Sequence, residues 1–225
     1  MALGRRKNMR QAAQDAAVQG RTFVEMREAP RSSLMFRTAK LLCESGEYVC
    51  VVRDISATGA RVRLFHAPPP DTHLFLELAN GDRYGVERMW HRDDHMGFRF
   101  SCTIDVDHFI AEPSLYSRRP IRLKLQRPVD VVAEGIASPA VLLDISQQGA
   151  RIEAGRKFAL EQKVRIAIEG QSSRLGCVRW RSGYTHGVVL QQTFKLDELA
   201  NFALALQPFG ATDPNAPSPV ALRYA

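Results

Sequence analysis

Hydrophobic and polar residues alternate in several short runs of the 225-residue chain, as in β-strands that bury one face. Leu74, Leu76 and Leu78 form one such run. Turn-forming sequences separate the runs at intervals of about 8–12 residues, which is typical of small antiparallel barrels and sandwiches. Asn80-Gly81 is a strong hairpin signal between two of them. The pattern therefore predicts many short antiparallel strands and few helices.

The same pattern occurs twice, because the chain contains a gapless internal repeat at an offset of 90 residues. Residues 53–62 read RDISATGARV, and residues 143–152 read LDISQQGARI. Trp90 and Trp180 obey the same offset, and their place in late strands predicts that both are core residues. A helical pattern closes each copy. The repeat predicts two copies of one β-rich domain, each followed by a short helix.

Four segments follow from the repeat and from the composition of its flanks. Residues 1–21 are predicted to be a basic N-terminal tail, and residues 22–112 the first barrel. Residues 113–209 are predicted to be the second barrel. Residues 210–225 contain several prolines and little to bury, so they are predicted to be a disordered C-terminal tail.

Composition excludes several classes of protein. With 45% hydrophobic and 24% charged residues, the chain is of ordinary soluble type. It has no apolar run of about 18 residues and no secretory signal, so we expect no membrane span. Its four cysteines are scattered without a C-x-x-C pair, which fits a reducing compartment. We therefore expect a cytoplasmic protein without a metal site or a cofactor.

Positive charge is concentrated in the second half of the chain. The formal balance is +1 over residues 1–113 and +6 over residues 114–225. Most of the 31 cationic side chains are arginines, whose planar fork suits phosphates and purine edges. The charge excess of the second copy therefore fits either an anionic partner or an ordinary solvated surface.

An R-x-x-x-R pair precedes a D-x-S-x-x-G motif in both copies. The candidate ligand-binding residues of the second copy are Arg118, Arg119, Arg122, Asp144, Ser146 and Gly149. Those of the first copy are Arg27, Arg31, Asp54, Ser56 and Gly59. In a strand, D-x-S places both side chains on one face, and the glycine suits a turn or a close backbone approach. The motif could also only cap a turn, with the serine bonded to its own backbone.

At this spacing, and twice over, the motifs resemble the PilZ domain family, receptors for the bacterial second messenger cyclic di-GMP. The resemblance covers about residues 22–209. It implies an all-β dominated chain of two six-stranded antiparallel β-barrels in tandem. It also implies that the arginines meet phosphates and guanine edges, while the D-x-S-x-x-G strand holds a second guanine. A carboxylate such as Asp144 can accept from guanine N–H groups, and Ser146 can add a hydroxyl contact.

The second copy is the better candidate for ligand binding. In the first copy, the chain from Arg31 to Arg37 is one residue longer than the chain from Arg122 to Arg127. We therefore expect the first arginine pair to be displaced relative to its barrel. The first copy is therefore either a second ligand site or a degenerate domain kept for packing or for a partner.

These observations predict a binding protein rather than an enzyme. The leading hypothesis is a cyclic di-GMP receptor that relays the signal to an unidentified effector protein. One alternative is a protein-interaction scaffold whose ligand sites have decayed. A nucleic-acid-binding barrel is less favoured, because aromatic residues make up only 8% of the chain and no strand shows paired surface aromatics.

Overall fold

The computed structural model describes residues 36–114 and 120–207, which form twelve β-strands and two α-helices. The first-half elements are β1 (Arg37–Cys43), β2 (Gly46–Ile55), β3 (Gly59–Arg63), β4 (His73–Glu77), β5 (Arg83–Arg92), β6 (His95–Phe100) and α1 (Val106–Ala111). The second-half elements are β7 (Leu123–Ala133), β8 (Ile136–Ile145), β9 (Gly149–Ala154), β10 (Lys163–Ala167), β11 (Arg174–Ser182), β12 (Thr185–Leu190) and α2 (Leu196–Ala205). The offset seen in the sequence thus relates matching elements.

Each half is a closed antiparallel barrel of six strands. The strand order is β1-β2-β3-β6-β5-β4 in the first barrel and β7-β8-β9-β12-β11-β10 in the second. All neighbouring strands run antiparallel. Closure pairs every strand on both sides, so neither sheet has a free edge. The prediction of two six-stranded barrels in tandem, each followed by a short helix, is confirmed.

Alternating side chains fill each barrel, as the sequence pattern predicts. In β4, Leu74 and Leu76 are buried while Phe75 between them is exposed. The turn from β4 to β5 contains Asn80 and Gly81, with Gly81 at a φ of +98°. This is the predicted hairpin, and glycine is suited to a backbone conformation that other residues rarely adopt.

The two barrels pack against each other. Val49 of β2 is fully buried within the core of the second barrel, and Phe65 packs against the same cluster. In the other direction, Leu204 of α2 packs against the first core. The chain after α2 then meets β2, where the Gln207 side chain bonds the backbone N–H and C=O of Glu47 at 2.5 Å and 2.8 Å.

None of the helices within residues 36–114 and 120–207 is long and apolar enough to cross a membrane. The predicted tails, residues 1–21 and 210–225, lie outside the described residues. Their predicted disorder stays a prediction.

Candidate functional site

The D-x-S-x-x-G motif forms the end of β8 and the turn into β9. The backbone N–H of Ser146 donates to the carbonyl of Gly149 at 2.8 Å, and the Ser146 hydroxyl accepts from the Gly149 N–H at 3.2 Å. Ser56 and Gly59 make the same two bonds in the first barrel, at 2.8 Å and 3.1 Å. The serines therefore cap the turns, and their contact with a ligand stays a prediction.

The motif glycines permit a close approach between strands. A β-carbon on Gly149 would lie 2.8 Å from the carbonyl oxygen of Val188, and one on Gly59 would lie 2.5 Å from that of Phe98. Such distances are well inside ordinary contact, so any larger residue would push the neighbouring strand away. These glycines therefore show both of the expected roles, since each also closes the turn by its hydrogen bonds with the motif serine.

Asp144 holds two arginines at the surface of the second barrel. Its carboxylate accepts from Arg122 Nη1 at 2.8 Å and lies 2.6 Å from Arg151 Nε. The carboxylate is almost entirely buried, whereas the side chains of Arg122 and Arg151 are 47% and 41% exposed. Since a guanidinium carries five N–H donors, each arginine keeps donors that face solvent. Asp144 therefore anchors two outward-facing cations.

The tryptophans do not lie in the core, so the prediction that both are core residues was wrong. Trp90 and Trp180 are 42% and 43% exposed. A register shift between Val178 and Trp180 explains the second case, because a β-bulge reverses the inside–outside alternation of the strand. The first barrel has the same shift between Arg88 and Trp90.

Each indole covers a glycine on the neighbouring strand. A β-carbon on Gly187 would overlap the ring of Trp180, and a β-carbon on Gly97 would overlap the ring of Trp90. One part of the ring thus rests on bare backbone while the remainder stays open to solvent. An exposed indole fixed in this way is a flat surface on which a nucleobase can stack.

Strand register places these groups in one row across the barrel exterior. Asp144 pairs with Arg151 between β8 and β9, Arg151 with Gly187 between β9 and β12, and Gly187 with Trp180 between β12 and β11. We call Asp144, Arg151, Gly187 and Trp180 the second outer row. It combines an anchored cation with an open aromatic ring.

The first barrel has an equivalent row of Asp54, Arg61, Gly97 and Trp90, joined by the same register. We call it the first outer row. Asp54 forms an ion pair with Arg61, and their side chains are 14% and 36% exposed. The aromatic ring and one anchored arginine are therefore present in both barrels.

Four of the predicted arginines, Arg27, Arg31, Arg118 and Arg119, lie outside the described residues. Of the predicted arginines, the structure describes Arg122 alone, and it brings this residue to Asp144. Sequence reasoning missed Arg61, Arg151 and the exposed tryptophans. The arginines could have been found, because a tight turn after D-x-S-x-x-G places the residue two after the glycine opposite the aspartate.

Two grooves of the second barrel, of about 480 Å³ and 330 Å³, are lined by residues other than the second outer row and Arg122. Within residues 36–114 and 120–207, no group of three His, Cys, Asp or Glu side chains is arranged to hold a metal ion. Burial raises the pKa of the Cys43 thiol to about 12, so that thiol stays protonated at neutral pH. The arrangement can bind an anion and stack a base.

The sequence model of the PilZ domain matches residues 25–111 and again residues 116–201. The chain belongs to the PilZ domain family. The two PilZ matches together span most of the chain and coincide with the two barrels. No curated protein matches the chain.

Several solved structures match the chain at low sequence identity. Borreliella burgdorferi PlzA in complex with c-di-GMP is 9% identical, with a TM-score of 0.32, over 86% of this chain and 97% of PlzA. The K. pneumonia MrkH–c-di-GMP complex is 10% identical, with a TM-score of 0.32, over 76% and 87%. Bacillus subtilis MotI/DgrA, an inhibitor of motility, is 12% identical, with a TM-score of 0.29, over 74% and 92%.

Proposed function

We propose that this PilZ protein is a cyclic di-GMP receptor whose principal ligand site is the second outer row together with Arg122. The observation that supports this best is the juxtaposition of Arg122 and Arg151 on one buried carboxylate, at 2.8 Å and 2.6 Å. Strand register then places Trp180 further along the same face. The proposal needs binding groups only and no catalytic step.

The chemistry of the ligand suits such a surface. Cyclic di-GMP presents two phosphates and two guanines. An arginine can pair with a phosphate or donate a forked pair of N–H groups to guanine O6 and N7, which is worth about 1–3 kcal/mol of discrimination in nucleic-acid complexes. An exposed indole can stack on a guanine face, which contributes about 1–3 kcal/mol per base. Arg118 and Arg119 precede Arg122 in the chain and are proposed to add further cationic contacts.

Calorimetric titration of cyclic di-GMP at low salt tests the proposal. We expect the wild-type chain to bind, and Arg122→Ala and Arg151→Ala each to weaken binding by about tenfold or more. Arg165→Ala is the matched control, since Arg165 is an exposed arginine of the same barrel on β10, outside the row. A wild-type chain that releases no heat at two different temperatures would overturn the proposal and favour a scaffold with decayed sites.

The first outer row defines a second, weaker candidate site. It has Asp54, Arg61 and Trp90 in the same register as its counterpart. Arg61→Ala with Trp90→Ala therefore tests whether the ligand stoichiometry depends on the first barrel. A stoichiometry unchanged by this double variant would restrict binding to the second barrel.

Relay to an effector protein is the second part of the proposal. The segment 113–122 joins the barrels in the sequence and carries three of the predicted arginines, so a ligand bound by Arg122 changes the surface near the start of β7. Retention of one cellular protein by the immobilised chain with ligand, and its loss in the Arg122→Ala variant, would support the relay. Equal retention with and without ligand would contradict it.

A further inference from the structure

Two charged side chains of the first barrel form hydrogen bonds with the backbone beside the candidate site of the second barrel. Lys40 Nζ donates to the carbonyl oxygen of Arg122 at 2.9 Å. Glu47 Oε2 accepts from the backbone N–H of Lys124 at 3.0 Å. These bonds hold the chain on both sides of Leu123, where β7 begins. The arginine whose guanidinium reaches Asp144 is thus held at its own backbone by the other barrel.

The two side chains belong to a buried ion cluster. Lys40 Nζ lies 3.0 Å from Glu47 Oε2 and 2.9 Å from Glu77 Oε1. The side chains of Lys40 and Glu47 are only 7% and 4% exposed. Glu77 also pairs with Arg83 at 2.6 Å. A buried charge without partners is very unfavourable, so this cluster holds each member in one position.

The internal repeat shows that the barrel fold does not require this cluster. At the positions 90 residues later, the second barrel carries Asp130, Ala137 and Ala167. Asp130 and Ala137 are exposed. The matching face of the first barrel is covered by residues 122–124 and by Gln207. The charges are therefore buried by the contact between the two barrels and are not a requirement of the barrel fold.

We propose that Lys40 and Glu47 are positioning residues for the ligand site of the second barrel, which makes the first barrel a structural part of that site. The inference rests on the proposed cyclic di-GMP function. Arg122 is held by Asp144 at its guanidinium and by Lys40 at its carbonyl. A binding group ordered in advance loses less conformational entropy when the ligand arrives. By linkage, a ligand that prefers this position of Arg122 also strengthens the contact between the barrels.

A pair of substitutions at Glu47 separates positioning from general stability. Glu47→Leu removes the acceptor for the Lys124 N–H, whereas Glu47→Gln keeps an oxygen there. Lys40 stays paired with Glu77 in both variants. We expect Glu47→Leu to weaken cyclic di-GMP binding by about tenfold and Glu47→Gln by much less. Glu87→Leu is the matched control, since Glu87 forms an exposed ion pair with Arg99 in the same barrel.

A measurement without ligand accompanies the titration. Hydrogen exchange at the Lys124 amide should be faster in Glu47→Leu than in Glu47→Gln, the control or the wild type, because this amide donates to Glu47. If Glu47→Leu does not fold, Lys40→Met with Glu47→Gln takes its place, since it lacks the donor to Arg122 and leaves Glu77 paired with Arg83.

The outcomes distinguish the inference from the function on which it rests. Weaker binding together with faster Lys124 exchange supports positioning. Wild-type affinity and wild-type exchange in Glu47→Leu overturn positioning, while ligand binding by the wild-type chain leaves the proposed function standing. A wild-type chain that does not bind overturns both, and faster exchange would then show only that Glu47 protects this amide.

Discussion

The two barrels have equivalent strands and equivalent outer rows, but they differ where each meets its surroundings. Asp54 and Asp144 occupy the same place, and Trp90 and Trp180 each cover a glycine. These features follow from strand register, which the repeat preserves. Two copies of a duplicated barrel can therefore keep the same interior and the same outer row while their ends diverge.

The divergence is visible in the two helices that follow the barrels. α1 has 6 residues and stops at Glu112, which adopts a left-handed conformation and forms an ion pair with Arg37. α2 has 10 residues. Gln207, in the chain after α2, donates to the carbonyl of Glu47 on β2 of the first barrel. The two helices thus differ in length, and their C-terminal ends contact different neighbours.

The largest expected difference between the barrels is in ligand affinity. Asp144 anchors Arg122 and Arg151, so Asp144→Ala should weaken cyclic di-GMP binding by about 100-fold, or about 2.7 kcal/mol. Asp54→Ala, the matched variant of the first barrel, should change the affinity of the principal site by less than about threefold. Calorimetric titration of both variants with cyclic di-GMP measures the two affinities. Equal losses would show that the two barrels are equivalent sites.

The second difference is in how the helix ends contribute to stability. Gln207→Ala removes two hydrogen bonds to the backbone of Glu47 and leaves buried polar groups unpaired. We expect the free energy of unfolding to fall by about 1–3 kcal/mol in urea. Gln192→Ala is the control, because Gln192 is exposed. Equal unfolding curves for the two variants would remove the distinction between the helix ends.

The outer rows should respond alike to a smaller change. Gly97→Ala and Gly187→Ala each place a methyl group where an indole now lies. Each variant should turn its tryptophan outward, at a cost of about 1 kcal/mol. Intrinsic fluorescence should shift to longer wavelength by a similar amount in both. A shift in one variant alone would show that the rows are not equivalent.

The smallest expected difference depends on pH. His186 is fully buried and accepts from the Phe158 N–H at 3.1 Å, whereas the matching Met96 is equally buried and does not titrate. Burial lowers the pKa of His186 below its ordinary value of 6.5. As the pH falls through 6.5, this histidine takes up a proton in the unfolded chain before it does so in the folded chain. The free energy of unfolding therefore decreases below pH 6.5 and is fully present above it.

His186→Met should reduce this loss of stability. Burial lowers the pKa of His66 in the first barrel too, so a part of the pH dependence should persist in the variant. Melting temperatures between about pH 7.5 and pH 5 for the wild type and the variant measure the difference. Parallel curves would contradict the role assigned to His186.

Much of the candidate site could be predicted from local sequence. The alternating runs, the Asn80-Gly81 hairpin and the repeat predict two barrels, and the D-x-S-x-x-G motif marks the turn that follows Asp144. The side of the strand on which Trp180 lies could not be predicted by alternation, because the bulge after Val178 reverses it. Because of that error, the sequence-based interpretation did not include Trp180 in the candidate site.

By itself, the sequence determined the strands, the duplication and the family motif, because alternation and turn chemistry depend on residues a few positions apart. The tertiary structure alone decided which charges are buried. Asp130 and Ala137 at the matching positions of the second barrel are exposed, whereas Lys40 and Glu47 are buried. Their burial comes from residues about 80 or 160 positions away, which bring their backbone and side-chain hydrogen bonds to the first barrel.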